Sequence, residues 1–456
     1  YQPVMVGIFR HAPLGRTGRY RGLGDFRVQK GIDCFAKDVA IADHYVHVFW
    51  LMKQRQQIIE RLSDEPLDVL VVGSGINGAV SAAALAARGV KTGLIDSRDF
   101  AGFTSQQSSN LIWGGIKYLE GYEFSLVAGL CKARNKLLQH YPSQVEEIRF
   151  LTSIPGNFRR HPLLVWAGAW IYWLVGRGFT QTPRYRTVES IRKSEPVVEL
   201  SSCRAGVEYS DAYLRDNDAR FVFGFVRSAI KNGALACNYV SASGAEFGKD
   251  NCWSVAMEDQ LSGRKFTVRC RSIVNAAGAF VDQFNALNNI KTRYRHVFSK
   301  GIHLIVPQLT GSKRVLAFFA EDGRLFFAIP MGHRTCIGTT DTRVDGPFSQ
   351  VTEEDRSFVL NNINRYLDLL RPISRKDIIA ERCGVRPLAI AGKADEHIDF
   401  LQLSRKHVVE VSADKPYLSI FGGKLTDCLN VGEEVVERIL EMGCLAEVND
   451  PGDNKQ

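Results

Sequence analysis

Leu67-Asp68-Val69-Leu70-Val71-Val72 runs straight into Gly73-Ser74-Gly75-Ile76-Asn77-Gly78, and the reading of this stretch decides the fold. The first half is a short apolar run, suited to a strand buried on both faces of a parallel sheet. The second half fits G-x-G-x-x-G, a common pattern that gains meaning only from its surroundings. Here the surroundings agree. Ala79 to Arg88 is rich in alanine and other small residues, which predicts a closely packed helix stopped by Gly89. Val90 to Ile95 reads as a second strand ending at Asp96, so the whole is a βαβ unit. Gly73 permits the tight turn, Gly75 lets a pyrophosphate approach the backbone, and Gly78 lets the helix pack against the sheet. Ile76 and Asn77 open that helix, whose free N–H groups and positive dipole end suit a phosphate. Asp96 follows at about the spacing expected of a carboxylate that accepts from ribose hydroxyls.

The turn alone does not separate FAD from NAD. Two later segments bear on the choice. Asn275-Ala276-Ala277-Gly278 and Phe421-Gly422-Gly423-Lys424 both place small residues at strand ends, where backbone can lie against a large flat cofactor. One interrupted domain wrapped round one extended dinucleotide accounts for all three turns, which favours FAD. Between the turns, Asp218 to Lys231 is an amphipathic helix and Cys252 to Arg271 alternates as a hairpin. Strands recur from His303 to Thr340. Residues 111 to 150, Glu353 to Leu370 and about Leu425 to Met442 read mainly as helix. The expected class is α/β: a Rossmann-like FAD-binding domain interrupted by an antiparallel-sheet substrate domain. The FAD-binding domain is expected over 66–145, 200–290 and 375–445, and the substrate domain over 146–199 and 291–374.

Length and composition set the outer limits. The chain has 456 residues, enough for two or three domains, and its 45% hydrophobic and 23% charged content is that of a folded protein. A net charge of +9 from scattered Lys and Arg suits acidic lipid headgroups or an anionic substrate and does not call for nucleic acid. The ten cysteines stand singly, so neither a metal site nor a redox dithiol is expected. No apolar run reaches the ~18 residues of a spanning helix. Residues 1–51 begin with Tyr1 and open Arg- and Gly-rich; they read either as a targeting segment or, as favoured here, as a disordered or non-native extension before Met52.

The chain resembles the FAD-dependent glycerol-3-phosphate dehydrogenases of the aerobic, quinone-linked type, whose fold is like that of D-amino-acid oxidase and the second glutathione-reductase class. The resemblance is carried by Val71 to Gly78, Asp99-Phe100, Thr104-Ser105, Leu111 to Glu120 (LIWGGIKYLE) and Glu123-Phe124. It continues through Glu208 to Asp211, Asp218 to Arg220, Asn275 to Gly278, Lys300 to His303, Gly338 to Asp341, Gly384 to Pro387 and Phe421 to Thr426. It implies hydride transfer from C2 of sn-glycerol 3-phosphate to FAD, giving dihydroxyacetone phosphate, with electrons passed on to a membrane quinone. Lys117 and Tyr118 match the family's substrate-contacting pair, Arg386 and Arg405 its two arginines, and Lys424 its lysine beside the flavin. Besides the first turn, the resemblance implies cofactor contacts at Thr104, Ser105, Gly114, Ala277, Gly278, Gly423, Leu425 and Thr426. A phosphate dianion calls for such cations, and a developing carbonyl is stabilised by a neighbouring one. His303 is either the base that takes the hydroxyl proton or a satisfied histidine at a strand start.

Three departures stand out. Asn110 and Trp113 replace the family's usual Lys and His, Lys117 keeps the charge of an Arg but not its fork, and the segment after Lys424 is short. They keep open a different small phosphorylated or acidic alcohol as substrate, or a flavin-binding module without turnover, and they suggest a short form or a fragment of the family. Leu163 to Val175 is apolar, holds Trp166, Trp170, Tyr172 and Trp173, and follows Arg159-Arg160. It is too short to span a bilayer but suits its interface; the alternative is a buried helix. The expected setting is peripheral at the cytoplasmic face of an inner membrane, or the cytoplasm, ahead of mitochondria. The expected partners are sn-glycerol 3-phosphate, a quinone, a membrane surface and a second copy of the chain as a homodimer.

Overall fold

The strand Leu67–Val72 is buried along its whole length because both of its faces are covered. Val69 and Val71 join one apolar cluster with Ala79, Ala82, Val222 and Val431, while Leu67, Leu70 and Val72 join another with Trp253 and Tyr417. This is why the run is apolar at successive positions rather than alternate ones. In the computed structural model the described residues are 53–320, 324–392, 406–443 and 445. The expected extension at 1–51 and Arg405 lie outside them. Contacts divide the chain into Tyr1–Gln57 and Ile58–Gln456, and the architecture below belongs to the second unit.

Leu67–Val72 sits in an eight-stranded sheet. Its parallel core runs Leu235–Cys237, Thr92–Ile95, Leu67–Val72, Lys265–Asn275, Tyr417–Phe421. Trp253–Asp259 and Val240–Phe247 extend it as an antiparallel wing, and Val408–Val411 pairs antiparallel with Tyr417–Phe421. The helix Ile76–Ala86 packs between the helices Asp218–Lys231 and Cys428–Glu441. Strand order reverses between Leu67–Val72 and Lys265–Asn275, and a crevice opens beyond the carboxyl ends of such neighbours.

The second sheet has ten strands. Tyr294–Pro307 lies towards one end of it, paired antiparallel with Ala380–Ala391, Arg334–Gly338 and Thr342–Val344. Leu325–Met331 and Val315–Phe319 follow, then Val145–Pro155, which runs parallel to Val315–Phe319 and antiparallel to Cys203–Leu214. The helix Glu353–Tyr366 packs into one apolar cluster of this sheet through Val359 and Ile363. The helix Pro162–Val175 packs into another through Ala169 and Tyr172.

Three expectations change in part. Residues 111–150 are mainly helical, in Ile116–Gly121 and Phe124–His140, but they open with the short strand Leu111–Ile112 and end in the start of the strand Val145–Pro155. The helix from Glu353 ends at Tyr366, with Leu367 already extended. Cys203–Leu214 and Ala380–Ala391, within segments assigned to the FAD-binding domain, pair in the second sheet.

Candidate active site

Gly73 leaves the first strand with φ +99°, and a methyl there would lie 2.5 Å from the Ala276 carbonyl oxygen. At Gly78 a methyl would sit 1.8 Å from the Gly73 carbonyl oxygen. The helix can therefore approach the strand only because neither residue has a side chain. Gly75 precedes the helix and faces Ser105, whose Oγ accepts from the Ile76 N–H at 2.9 Å. Asp96, at the end of the second strand, accepts from the Ser74 N–H at 2.7 Å and the Ser74 hydroxyl at 2.8 Å. Its other oxygen accepts from the Arg98 N–H. Burial pushes the Asp96 carboxyl up, and these donors oppose the shift.

The three expected turns meet. Asn77 Nδ2 donates to the Gly422 carbonyl at 2.9 Å, tying the first turn to the last. Ala277 N–H donates to Asn275 Oδ1, and Gly278 takes φ +58°. Thr104 donates to the Val385 carbonyl at 2.9 Å, joining the turn region to the second sheet. A cavity of about 530 Å³ opens at the strand ends, lined by Gly73, Gly75, Asp96, Ser105, Ala277 and Gly278. Phe103, Phe280 and Phe348 cluster on its wall with ring centroids 5.0–5.8 Å apart, and the Arg98 guanidinium lies over two of them. Sequence reasoning missed this cluster, since its rings come from three segments far apart in the chain, Phe280 from the short helix Gly278–Phe280.

Past the last turn, Lys424 Nζ donates to the Tyr118 hydroxyl at 2.6 Å and lies 4.1 Å from the centre of that ring. The Trp113 ring faces the same ammonium at 5.8 Å. Thr426 donates to the Trp113 carbonyl, so the segment 425–426 holds the 113–118 turn in place. Gly115 is required there: at φ +83° a methyl would meet the Tyr118 ring at 2.5 Å. Lys117 stands on the wall of a second cavity of about 270 Å³, with Ile116, Leu119, Phe158, Leu164 and Tyr209.

His303 is buried, and its Nδ1 has no hydrogen-bond partner. Burial, then the charges of Arg386 and Arg382, hold its imidazole down at about 3, so it is neutral at pH 7. Arg386 donates to Thr339 Oγ1 at 3.0 Å and lies 3.6 Å from Asp341. Gly301 makes room for it, since a methyl there would fall 2.0 Å from Nη2. Asn110 has a structural account: it is buried in the left-handed region at φ +61°, which Asn tolerates, and its Oδ1 accepts from Arg382. Among the described residues no cluster of His, Cys, Asp and Glu could hold a metal ion.

The FAD dependent oxidoreductase family model matches residues 68–423. The chain is 32% identical over 384 residues to the aerobic glycerol-3-phosphate dehydrogenase of Escherichia coli K12, covering 82% of this chain and 74% of that one. It is 30% identical over 392 residues to the enzyme of the same name from Bacillus subtilis 168, covering 85% and 69%. The chain belongs to the FAD-dependent glycerol-3-phosphate dehydrogenase family. Its fold matches the glycerol-3-phosphate dehydrogenase of Bacillus halodurans complexed with FAD, at a TM-score of 0.69 and 26% identity, over 87% of this chain and 68% of that one. FAD is the cofactor of this dehydrogenase fold, and the residues present fit it. A methyl at Gly73 would strike the Ala276 carbonyl and one at Gly75 or Gly423 would press on Ser105 or Asn77, and Gly73, Gly75 and Asp96 line one open cavity.

Proposed function

We propose that the protein oxidises sn-glycerol 3-phosphate to dihydroxyacetone phosphate and hands the electrons to a quinone at a membrane surface. The reading is carried by the meeting of Lys424 and Tyr118, distant in sequence and 2.6 Å apart, at the end of the last cofactor turn. FAD, when bound, supplies the acceptor for the hydride leaving C2. Arg386 grips the substrate phosphate, with Arg405 as a further cation, whereas Lys117 belongs to the wall of the second cavity. Lys424 faces the C2 oxygen and stabilises it as it becomes a carbonyl. His303, neutral at pH 7 chiefly because it is buried, takes the hydroxyl proton, and a dianion beside Arg386 offsets the smaller part of its weakening as a base that comes from the arginines. One hydride and one proton leave, and the ketone remains.

The second cavity supports the quinone part. It is lined mainly by apolar and aromatic side chains, and Tyr209 on its wall accepts from Trp113 Nε1 at 3.3 Å. Trp113 in turn faces Lys424, so one aromatic pair separates the cavity from the cofactor side. The helix Pro162–Val175 borders it and leaves Leu163, Leu164, Ile171 and Leu174 exposed, beside Tyr122 and Phe124. With Arg160 at the rim, this face suits anionic headgroups. The described residues contain no helix long and apolar enough to cross a membrane. Peripheral docking at the cytoplasmic face of an inner membrane fits these features, and a division into FAD-binding and substrate domains by sheet puts Cys203–Leu214 and Ala380–Ala391 with the substrate domain.

Turnover with sn-glycerol 3-phosphate, its sn-1 enantiomer and glycerol, with a dye or a quinone as acceptor, tests the reading. Only sn-glycerol 3-phosphate is expected to turn over. Preference for another phosphorylated alcohol would assign a different substrate, and no turnover with any would leave a binding module.

A further inference from the structure

Beneath the 113–118 turn lies a buried cluster that the reaction itself does not use. Asp211, on the strand Cys203–Leu214, is fully buried. Its Oδ1 accepts from Arg134 Nη1 at 2.6 Å, from the Tyr172 hydroxyl at 2.7 Å and from the Gly114 N–H at 3.1 Å. Arg134 also donates to the Tyr172 oxygen at 3.2 Å, so the three groups form a closed set. Gly114 packs directly on it: a methyl there would lie 2.1 Å from the Tyr172 hydroxyl. The Tyr172 ring meets Tyr209 edge to face, and Tyr209 holds the Trp113 indole.

We propose that Asp211 is a positioning residue: through the Gly114 N–H and the Tyr172 hydroxyl it sets where the Trp113–Tyr118 turn stands against Lys424. A buried carboxylate facing a buried guanidinium is an expensive way merely to fill a core, since an apolar set of similar volume is often no less stable. A backbone N–H held by a charged acceptor, however, fixes a loop in direction as well as in distance. Gly114 and Gly115 give that loop no side-chain anchors of their own. Its two rings are held by Tyr209 and Lys424, and its backbone is held by Asp211 from below and by Thr426 from above. Tyr118 and Trp113, the two rings around Lys424, move with it.

The proposal rests on the substrate reading above, and the experiment separates the two. Tyr172→Phe and Asp211→Asn are made in the full, FAD-loaded chain, with Tyr118→Phe as the reference for a disturbed turn. FAD content, melting temperature, the visible circular dichroism of bound FAD, and KM and kcat for sn-glycerol 3-phosphate are measured. FAD content is expected to hold, because the dinucleotide cradle is untouched. The dichroism is expected to change in the sense seen for Tyr118→Phe, with KM raised about tenfold and kcat per flavin changed far less. Unchanged dichroism and KM in a folded, flavin-loaded variant would overturn the proposal, whatever happens to melting. If Asp211→Asn does not fold, Tyr172→Phe decides on the same readings. If the unaltered chain is not reduced by sn-glycerol 3-phosphate, the substrate reading falls while the dichroism still judges the positioning role.

Discussion

Gly78 and His303 mark the two extremes of what one residue can disclose. At Gly78 the demand is steric and local: the helix start sits so close to the Gly73 carbonyl that no methyl fits, and a glycine in the pattern says as much. His303 is different, because nothing near it in sequence announces that its ring is buried beside two arginines. Its depressed folded-state value has a definite sign. Its contribution to stability is present above the ordinary value of 6.5 and is lost as pH falls towards about 3, where a buried ring must accept charge. His303→Gln keeps the size and polarity but removes a base. It is expected to lower kcat by about 10²–10⁴-fold with FAD content unchanged, read by dye-linked turnover per bound flavin. A kcat within a few-fold of the parent's would make it a core histidine.

At the scale of elements, the helix Pro162–Val175 joins packing to location. Ala169 and Tyr172 face the core, whereas Leu164 and Leu174 are 62% and 63% exposed. Replacing both leucines with Glu is expected to lower sedimentation with anionic vesicles about tenfold or more and to slow quinone reduction, leaving dye-linked turnover unchanged. Equal vesicle binding by the variant would remove the docking role. Elements were legible where one period dominated, as in Asp218–Lys231, whose Phe221, Val222, Phe225 and Val226 make one face. Val145–Pro155 was misread as the end of a helical region because Glu146 and Glu147 stand together, as on a helix's polar face, and Phe150 and Leu151 are both buried. A strand covered on both sides loses the alternation that would identify it.

Over the whole molecule, the site is assembled from segments hundreds of residues apart. The three glycine-bearing turns could be found because backbone approach needs small residues wherever it occurs. The charged pairings could not, since no local pattern says that Arg134 meets Asp211 or that Lys424 meets Tyr118. One such pairing has a pH signature for the entire fold. Burial opposes charge on His407, but its bonds to Asp427 and Glu434 outweigh that and raise it to about 9. The stability it adds is fully present below about 6.5 and is lost as pH rises through about 9. Melting temperature is expected to fall across that window in the parent chain and to fall less in His407→Gln; identical profiles would assign the ionic contact no weight. The central claim concerns reaction at the flavin, and anaerobic mixing of the FAD-loaded chain with sn-glycerol 3-phosphate tests it most directly. Rapid, saturable bleaching of the flavin absorbance is the expected result, and a flavin that stays oxidised at saturating substrate would contradict it.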